Sequence, residues 1–225
     1  TLRHIIHALR RKQSSAQRGF APAGRLCQGS GVDAQRQILL DHLLRYAYQY
    51  RPEQPFRLAS GATSPEYLDC RKALSHPAAL AAASQLIAAS LRPEVAAIGG
   101  LTMGADPLSI GSALASTTSP TPRRWFSVRK AAKAHGQQRW VEGDVEAGMK
   151  VAVVDDVVTS GGSTLEAIER CEAFGLVVVQ VIALVDREEG GMARLRDKVG
   201  DAVPVSAIVQ RSTIREAHRQ ANSAL

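Results

Sequence analysis

The sequence predicts an α/β protein: a single domain with a mostly parallel central sheet flanked by helices, plus a small hood. Three observations carry this. Short continuous apolar runs, "VAAIGG", "VAVV" and "VVVQVIALVD", read as strands buried on both faces. Segments with helical spacing of apolar residues separate them. A length of 225 residues suits one such domain, and no internal repeat is visible.

The elements follow from Asp33. "DAQRQILLDHLLRYAYQY" places Ile38, Leu39, His42, Leu43, Tyr46 and Ala47 on one stripe, with Asp33 as N-cap, and predicts a helix. Residues 51–75, rich in Pro, Ser and Gly, read as a hood outside the main sheet. "HPAALAAASQLIAASL" carries Pro77 in its first turn and predicts a second helix. "VAAIGG" is a strand ending in glycines, and "GADPLSIGSALAS" the helix after it. "RRWFSVRK" and "VAVVDD" are strands. "STLEAIERCEAFG" is a helix that Gly175 can close in the left-handed conformation. "VVVQVIALVD" and "VSAIVQ" complete the sheet.

Charge narrows the function classes. The net charge is +7, but residues 1–32 hold six basic and no acidic residues, so the body is nearly neutral. The excess sits in a basic arm, read as a disordered segment too short for a DNA-binding domain. Its Arg, Ser and Ala content also suits an organelle transit peptide, the minority alternative to a cytoplasmic protein. Aromatic content of 4% leaves few platforms for stacking bases, which argues against a nucleic-acid partner. Cys27, Cys70 and Cys171 form no Cys-x-x-Cys pair, which argues against disulfides or zinc and for a reducing compartment. No apolar run has the length of a membrane span.

The chemistry concentrates in "VAVVDDVVTSGGST", residues 151–164. In an open α/β sheet, ligands bind beyond the carboxyl ends of strands, which is where Asp155 and Asp156 fall. Thr159, Ser160, Gly161, Gly162, Ser163 and Thr164 then lead into a helix N-terminus. Free backbone N–H groups, hydroxyls and the helix dipole make that turn a phosphate site. Carboxylates repel phosphate, so they must address another part of the same ligand. Ribose hydroxyls fit, because carboxylate oxygens accept their hydrogen bonds. The stretch reads as a ribose-phosphate cradle. A P-loop would need a Lys after the glycines, and a dinucleotide fingerprint would need Gly-x-Gly-x-x-Gly where two aspartates stand. The plainer alternative, a capping turn beside a solvated Asp pair, leaves the combination unexplained.

This stretch resembles the phosphoribosyl-pyrophosphate (PRPP) motif of type I phosphoribosyltransferases. Three further stretches resemble the orotate phosphoribosyltransferases among them: "FRLASGATSPEYLDCRKALSHP" their hood, "IGGLTMGADPLS" their pyrophosphate-side loop, and "FSVRKAAKAHGQQRWVEG" their mobile catalytic loop. The resemblance covers about residues 33–210, placing the phosphoribosyltransferase domain in 33–225. It implies transfer of phosphoribosyl from PRPP to orotate. It implies that Asp155, Asp156, Val157, Val158, Thr159, Ser160, Gly161, Gly162 and Ser163 bind PRPP, and that Thr159, Arg187, Tyr67 and Leu68 contact orotate. Arg187 suits a carboxylate by bidentate pairing. Mg²⁺ is implied as a cofactor carried by PRPP oxygens and waters, with no dedicated protein cage.

The basic segment makes physical sense in that reaction. Arg129, Lys130, Lys133 and His135 offer cations and a proton donor to a departing pyrophosphate. A solvated basic loop is the plainer reading of the same residues. By resemblance this loop completes the neighbouring subunit's site, which implies a homodimer. The chain departs from many family members at Ala59 and Met103, where they have Lys, and at Ala131, where they have Glu. Two absent cations near phosphate positions bear on PRPP affinity. Two other readings stay open from the residues: a phosphoribosyltransferase for another base, and a PRPP-sensing regulator without catalysis.

Overall fold

The computed structural model of the protein describes residues 28–57, 61, 63–131 and 140–223. Its contacts divide the chain into Thr1–Val32 and Asp33–Leu225, and the architecture below is that of the second unit, entered by a helix that begins at Gln28. Residues 1–27, Ala59, Lys133 and His135 lie outside the described residues.

Helix α1 (Gln28–His42) passes into a π-helical turn (Leu43–Ala47) and then strand β1 (Tyr48–Tyr50). Two expectations change here. Asp33 lies inside the helix rather than capping it, and helical backbone ends at Ala47, in the π-helical turn, rather than continuing to Tyr50. Tyr48 turns extended, with φ −88° and ψ 133°. It pairs with Leu68 of β4 (Glu66–Leu68), and its hydroxyl donates to Glu66 Oε1 at 2.6 Å. Cross-strand partners decide between helix and strand for such a tyrosine-rich end. Strands β2 (Phe56–Arg57) and β3 (Thr63–Ser64) form a second antiparallel pair, so the hood stands outside the main sheet. The short helix α2 (Cys70–Leu74) leads from it to α3 (Pro77–Ser90), which starts with Pro77.

The main sheet has six strands: β5 (Ala97–Leu101), β6 (Arg124–Val128), β7 (Val141–Gly143), β8 (Lys150–Val158), β9 (Val177–Asp186) and β10 (Val205–Gln210). Their spatial order is β10-β9-β8-β5-β6-β7, and all neighbours are parallel except β6 and β7. Helix α4 (Asp106–Ala115) links β5 to β6, and α5 (Gly162–Phe174) links β8 to β9. Helix α6 (Gly191–Val199) precedes β10, and α7 (Arg211–Ser223) follows it.

Both faces of the sheet are covered, as its apolar strands require. Ala152, Val154, Ile182 and Leu184 face one core with Leu39, Ile87, Leu108 and Ile214. Val151, Val153, Val181 and Ala183 face the other with Ile168, Cys171 and Leu195. Gly175 closes α5 at φ 93°, as expected of a left-handed C-cap. The sequence reading missed β7, α2, α6 and α7. Strand β7 has three residues and pairs only at an edge. Helix α7 buries only Ile214, so its apolar pattern is shallow.

The chain leaves β5 towards β6 on one side and β8 towards β9 on the other. The crevice at the carboxyl ends of β5 and β8 is therefore the switch point of the sheet, where open α/β folds bind ligands.

Candidate active site

A cavity of about 440 Å³ opens at this switch point. Asp155, Asp156 and Val157 line it from β8, Ser163 from α5, and Leu101, Thr102, Met103 and Gly104 from the end of β5. Tyr67, Leu68, Cys70 and Arg71 close it from the hood side, and Lys130 from the end of β6. Its size suits a small phosphorylated ligand.

Strand β8 runs through the aspartates to Val158, four residues further than "VAVV" suggests, so strand pairing fixes both carboxylates. Asp155 points towards α5, where its Oδ2 accepts the Thr164 hydroxyl at 2.6 Å and its Oδ1 accepts the Asp156 N–H at 3.0 Å. Asp156 points to the opposite face, towards Gly104, and accepts the Val157 N–H at 3.0 Å. A Cβ on Gly104 would stand 2.5 Å from Asp156 Oδ1, so a side chain there would displace the Asp156 carboxylate. Burial pushes the Asp155 carboxyl up to about 7, against the lowering effect of the Thr164 hydroxyl. Burial likewise raises Asp156, with Arg71 among the groups pulling it down. Despite Thr164 and Arg71, burial outweighs the groups that favour the charged pair, and the hydroxyl donors of a ligand would suit it.

The turn after β8 has a geometry that can hold an anion. Gly161 adopts φ 80° at the N-cap of α5, and no side chain caps that helix. Its first-turn N–H groups thus lack a side-chain cap, at the positive end of the dipole. The turn is held from behind: Gly191 N–H donates to Thr159 O at 3.0 Å and Arg194 Nη1 to Ser160 O at 3.2 Å. Across the crevice, the Thr102–Met103 peptide is cis. Asp106 anchors that loop, accepting Thr102 Oγ1 at 2.5 Å and Ser127 Oγ at 2.7 Å.

No family model matches the chain. The orotate phosphoribosyltransferase of Nostoc sp. is 38% identical over 161 residues, covering 71% of this chain and 77% of its own length. That of Aquifex aeolicus is 34% identical, covering 80% of this chain and 97% of its own length. The chain belongs to the orotate phosphoribosyltransferase family. Among solved structures, the orotate phosphoribosyltransferase of Mycobacterium tuberculosis in complex with Fe(III) dicitrate is similar at a TM-score of 0.67 and 30% identity, covering 80% of this chain and 98% of its own. The same Mycobacterium protein in complex with PRPP is similar at a TM-score of 0.61 and 25% identity, covering 80% of this chain and 92% of its own.

Against this family background, the residues singled out from the sequence fall into four groups. Asp155, Asp156, Val157, Ser163, Tyr67, Leu68 and Lys130 meet in one cavity. Thr159, Ser160, Gly161 and Gly162 form the turn from β8 into α5. Val158 is fully buried, and its carbonyl accepts the Arg187 N–H at 2.9 Å. Arg187 and Arg129 stand outside the cavity lining. Arg187 is 8% exposed, not a loose surface cation, and pairs with Glu189 at 3.0 Å. Arg129 pairs with Glu142 at 3.3 Å.

Sequence reasoning missed Arg71, Thr102 and Gly104 as lining residues. Arg71 is the informative one. It is a cation in the cavity, held by Asp69 at 2.9 Å, and its hydrogen bond lowers the Asp69 carboxyl. Its signal was an Arg-Lys pair in "DCRK", inside the stretch already read as hood. Met103, where many relatives have Lys by resemblance, is 67% exposed at the cavity rim.

Proposed function

We propose that the chain transfers the 5-phosphoribosyl group of PRPP to orotate, giving orotidine 5′-monophosphate and pyrophosphate in pyrimidine, hence UMP, biosynthesis. One observation carries this reading beyond family membership. A carboxylate pair, Asp155 buried and Asp156 half-buried, and an α5 N-terminus without a side-chain cap meet at one switch-point cavity. A ring nitrogen of orotate bonds to the anomeric carbon as the bond from that carbon to pyrophosphate breaks, through a sugar cation-like transition state, and the N–H proton is passed to the departing pyrophosphate or to water. Asp155 and Asp156 accept the ribose hydroxyls and orient the sugar. The α5 N-terminus with Thr159 to Ser163 holds the 5-phosphate. Tyr67 and Leu68 border the orotate side, and Arg187 exchanges Glu189 for the orotate carboxylate. Lys130, with Arg129, Lys133 and His135, stabilises charge on the leaving pyrophosphate.

Mg²⁺ enters this reading as a partner of PRPP, and when bound it neutralises pyrophosphate charge. Among the described residues no group of three or more His, Cys, Asp or Glu side chains could hold a metal ion. The Asp155–Asp156 pair would suit a cation that arrives with the substrate.

The reading includes a homodimer that shares the basic loop, a cytoplasmic setting and no nucleic-acid partner. Met103, Ile110, Leu114 and Trp125 support the dimer: they expose apolar surface on α4, its preceding loop and the neighbouring β6. Cys70 and Cys171, both free and buried, suit a reducing compartment. No helix among the described residues is long and apolar enough to cross a membrane.

The test is orotate consumption followed by absorbance, with and without PRPP and Mg²⁺, and with adenine and hypoxanthine as competing bases. Loss of orotate that needs both PRPP and Mg²⁺ is expected. PRPP consumption with another base and none with orotate would overturn the proposal.

A further inference from the structure

Helix α5 does more than present its N-terminus to the cradle. Arg170, two turns along it, has a side chain only 16% exposed. Its Nη1 donates to the Arg129 carbonyl, and its Nη2 to the Lys130 carbonyl at 3.4 Å. The same Nη2 pairs with Glu166, one turn back on the helix. The guanidinium also lies over the Trp140 ring, 4.0 Å from its centroid. One planar cation thus gathers residues from both sides of segment 132–139: Arg129 and Lys130 before it, Trp140 after it. The Arg129 N–H donates to the Trp140 carbonyl at 2.8 Å and closes the same junction.

A surface Arg on a helix ordinarily needs no more than its i,i+4 carboxylate. Arg170 adds two backbone carbonyls and an aromatic face, a set that suits the rigid fork of guanidinium and not an ammonium. What it holds matters because Lys130 lines the cavity. Gly162, at the start of the same helix, belongs to the phosphate turn.

We propose that Arg170 is a positioning residue: from the cradle helix it fixes the Arg129–Lys130 backbone and so sets where the Lys130 ammonium stands relative to the bound phosphates. This rests on the reading above, in which Lys130 acts on the leaving pyrophosphate. A merely structural staple would change thermal stability without acting through Lys130.

Steady-state kinetics of Arg170→Ala, Lys130→Ala and the double variant separate the cases. Arg170→Ala lowers kcat about tenfold or more, with the KM for orotate unchanged, as misplacing a group away from the chemistry does. Arg170→Lys, which can still reach one carbonyl, recovers part of the loss. In the double variant kcat falls no further than in the slower single variant, because the two residues share one effect. A double variant that shows the full product of the single effects overturns the proposal, as does wild-type kcat in a folded Arg170→Ala protein. If Arg170→Ala does not fold, Trp140→Leu removes only the ring beneath the guanidinium. Lowered kcat that is non-additive with Lys130→Ala then supports the proposal, and wild-type kcat overturns it. Wild-type kinetics in Lys130→Ala would remove the underlying reading and the proposal together. A slow Lys130→Ala beside an unimpaired Arg170→Ala would remove the positioning role alone.

Discussion

Asp155 and Asp156 are adjacent in sequence but face opposite sides of β8, so their surroundings differ. Asp155 has the Thr164 hydroxyl, and Asp156 has the space that Gly104 leaves open. Both carboxyls are raised by burial, Asp155 to about 7 from an ordinary 3.8. A raised carboxyl contributes stability that is fully present below its unfolded pKa and lost as pH rises through the folded one. This contribution therefore fades between pH 4 and about 7. Asp155→Asn keeps an acceptor for Thr164 and removes the charge. Its Tm is expected to exceed the wild type's at pH 8 by ~2–4 °C or more, the shift that ~1 kcal/mol produces in a domain of this size. The gap narrows towards pH 4. A thermal melt series across pH checks this, and a gap independent of pH would contradict it. At the facing position, Gly104→Ala would drive its Cβ against Asp156 Oδ1 at 2.5 Å. PRPP affinity is expected to fall about tenfold with the fold retained; titration calorimetry with PRPP is the measurement.

Strand β8, helix α5 and the turn between them form one mechanical unit. The order strand, Asp pair, Gly-rich turn, helix was legible in residues 151–164 because each local preference agrees with its neighbours. The support behind the turn was not legible. Gly190–Gly191, in "DREEGG", approaches the turn so closely that a Cβ on Gly191 would stand 2.3 Å from the Thr159 carbonyl oxygen. Backbone contact between distant segments leaves no periodicity in the sequence. Gly191→Ala is therefore expected to shift the turn, cost about 1–3 kcal/mol as overpacking does, and raise the KM for PRPP. Denaturant unfolding and initial rates measure the two effects. Unchanged values for both would mean that the turn does not lean on Gly191.

The molecule places its ligand cavity where β5 and β8 diverge. The proposed dimer would bring a second basic loop to that cavity. Two inactive variants test this when mixed: Lys133→Ala in one chain, and Asp155→Asn with Asp156→Asn in the other. If the loop serves the partner, a heterodimer has one site with both defects and one with neither. Recovery towards half of wild-type activity per heterodimer is expected. Its absence in verified heterodimers would mean that each loop serves its own subunit. Deleting residues 1–27, which spares α1 entire, is expected to leave Tm and orotate consumption unchanged. A fall in either would show that the basic arm supports the body.

By itself the sequence determined the α/β class, five of the six main-sheet strands, α3 to α5 and the strand–Asp pair–glycine turn–helix order of residues 151–164, because these rest on local patterns: apolar runs, helical spacing and turn chemistry. It misread Tyr48–Tyr50, where the partner strand Glu66–Leu68 lies beyond any local window. It left Arg71, Gly104 and Arg170 unassigned, and it read Arg187 without its burial or its Glu189 partner. Only the tertiary structure decided these, because each depends on groups far apart in the chain. Strand order sets which loops share a crevice, and burial sets which charges lack water. Neither quantity is a property of a short stretch of residues.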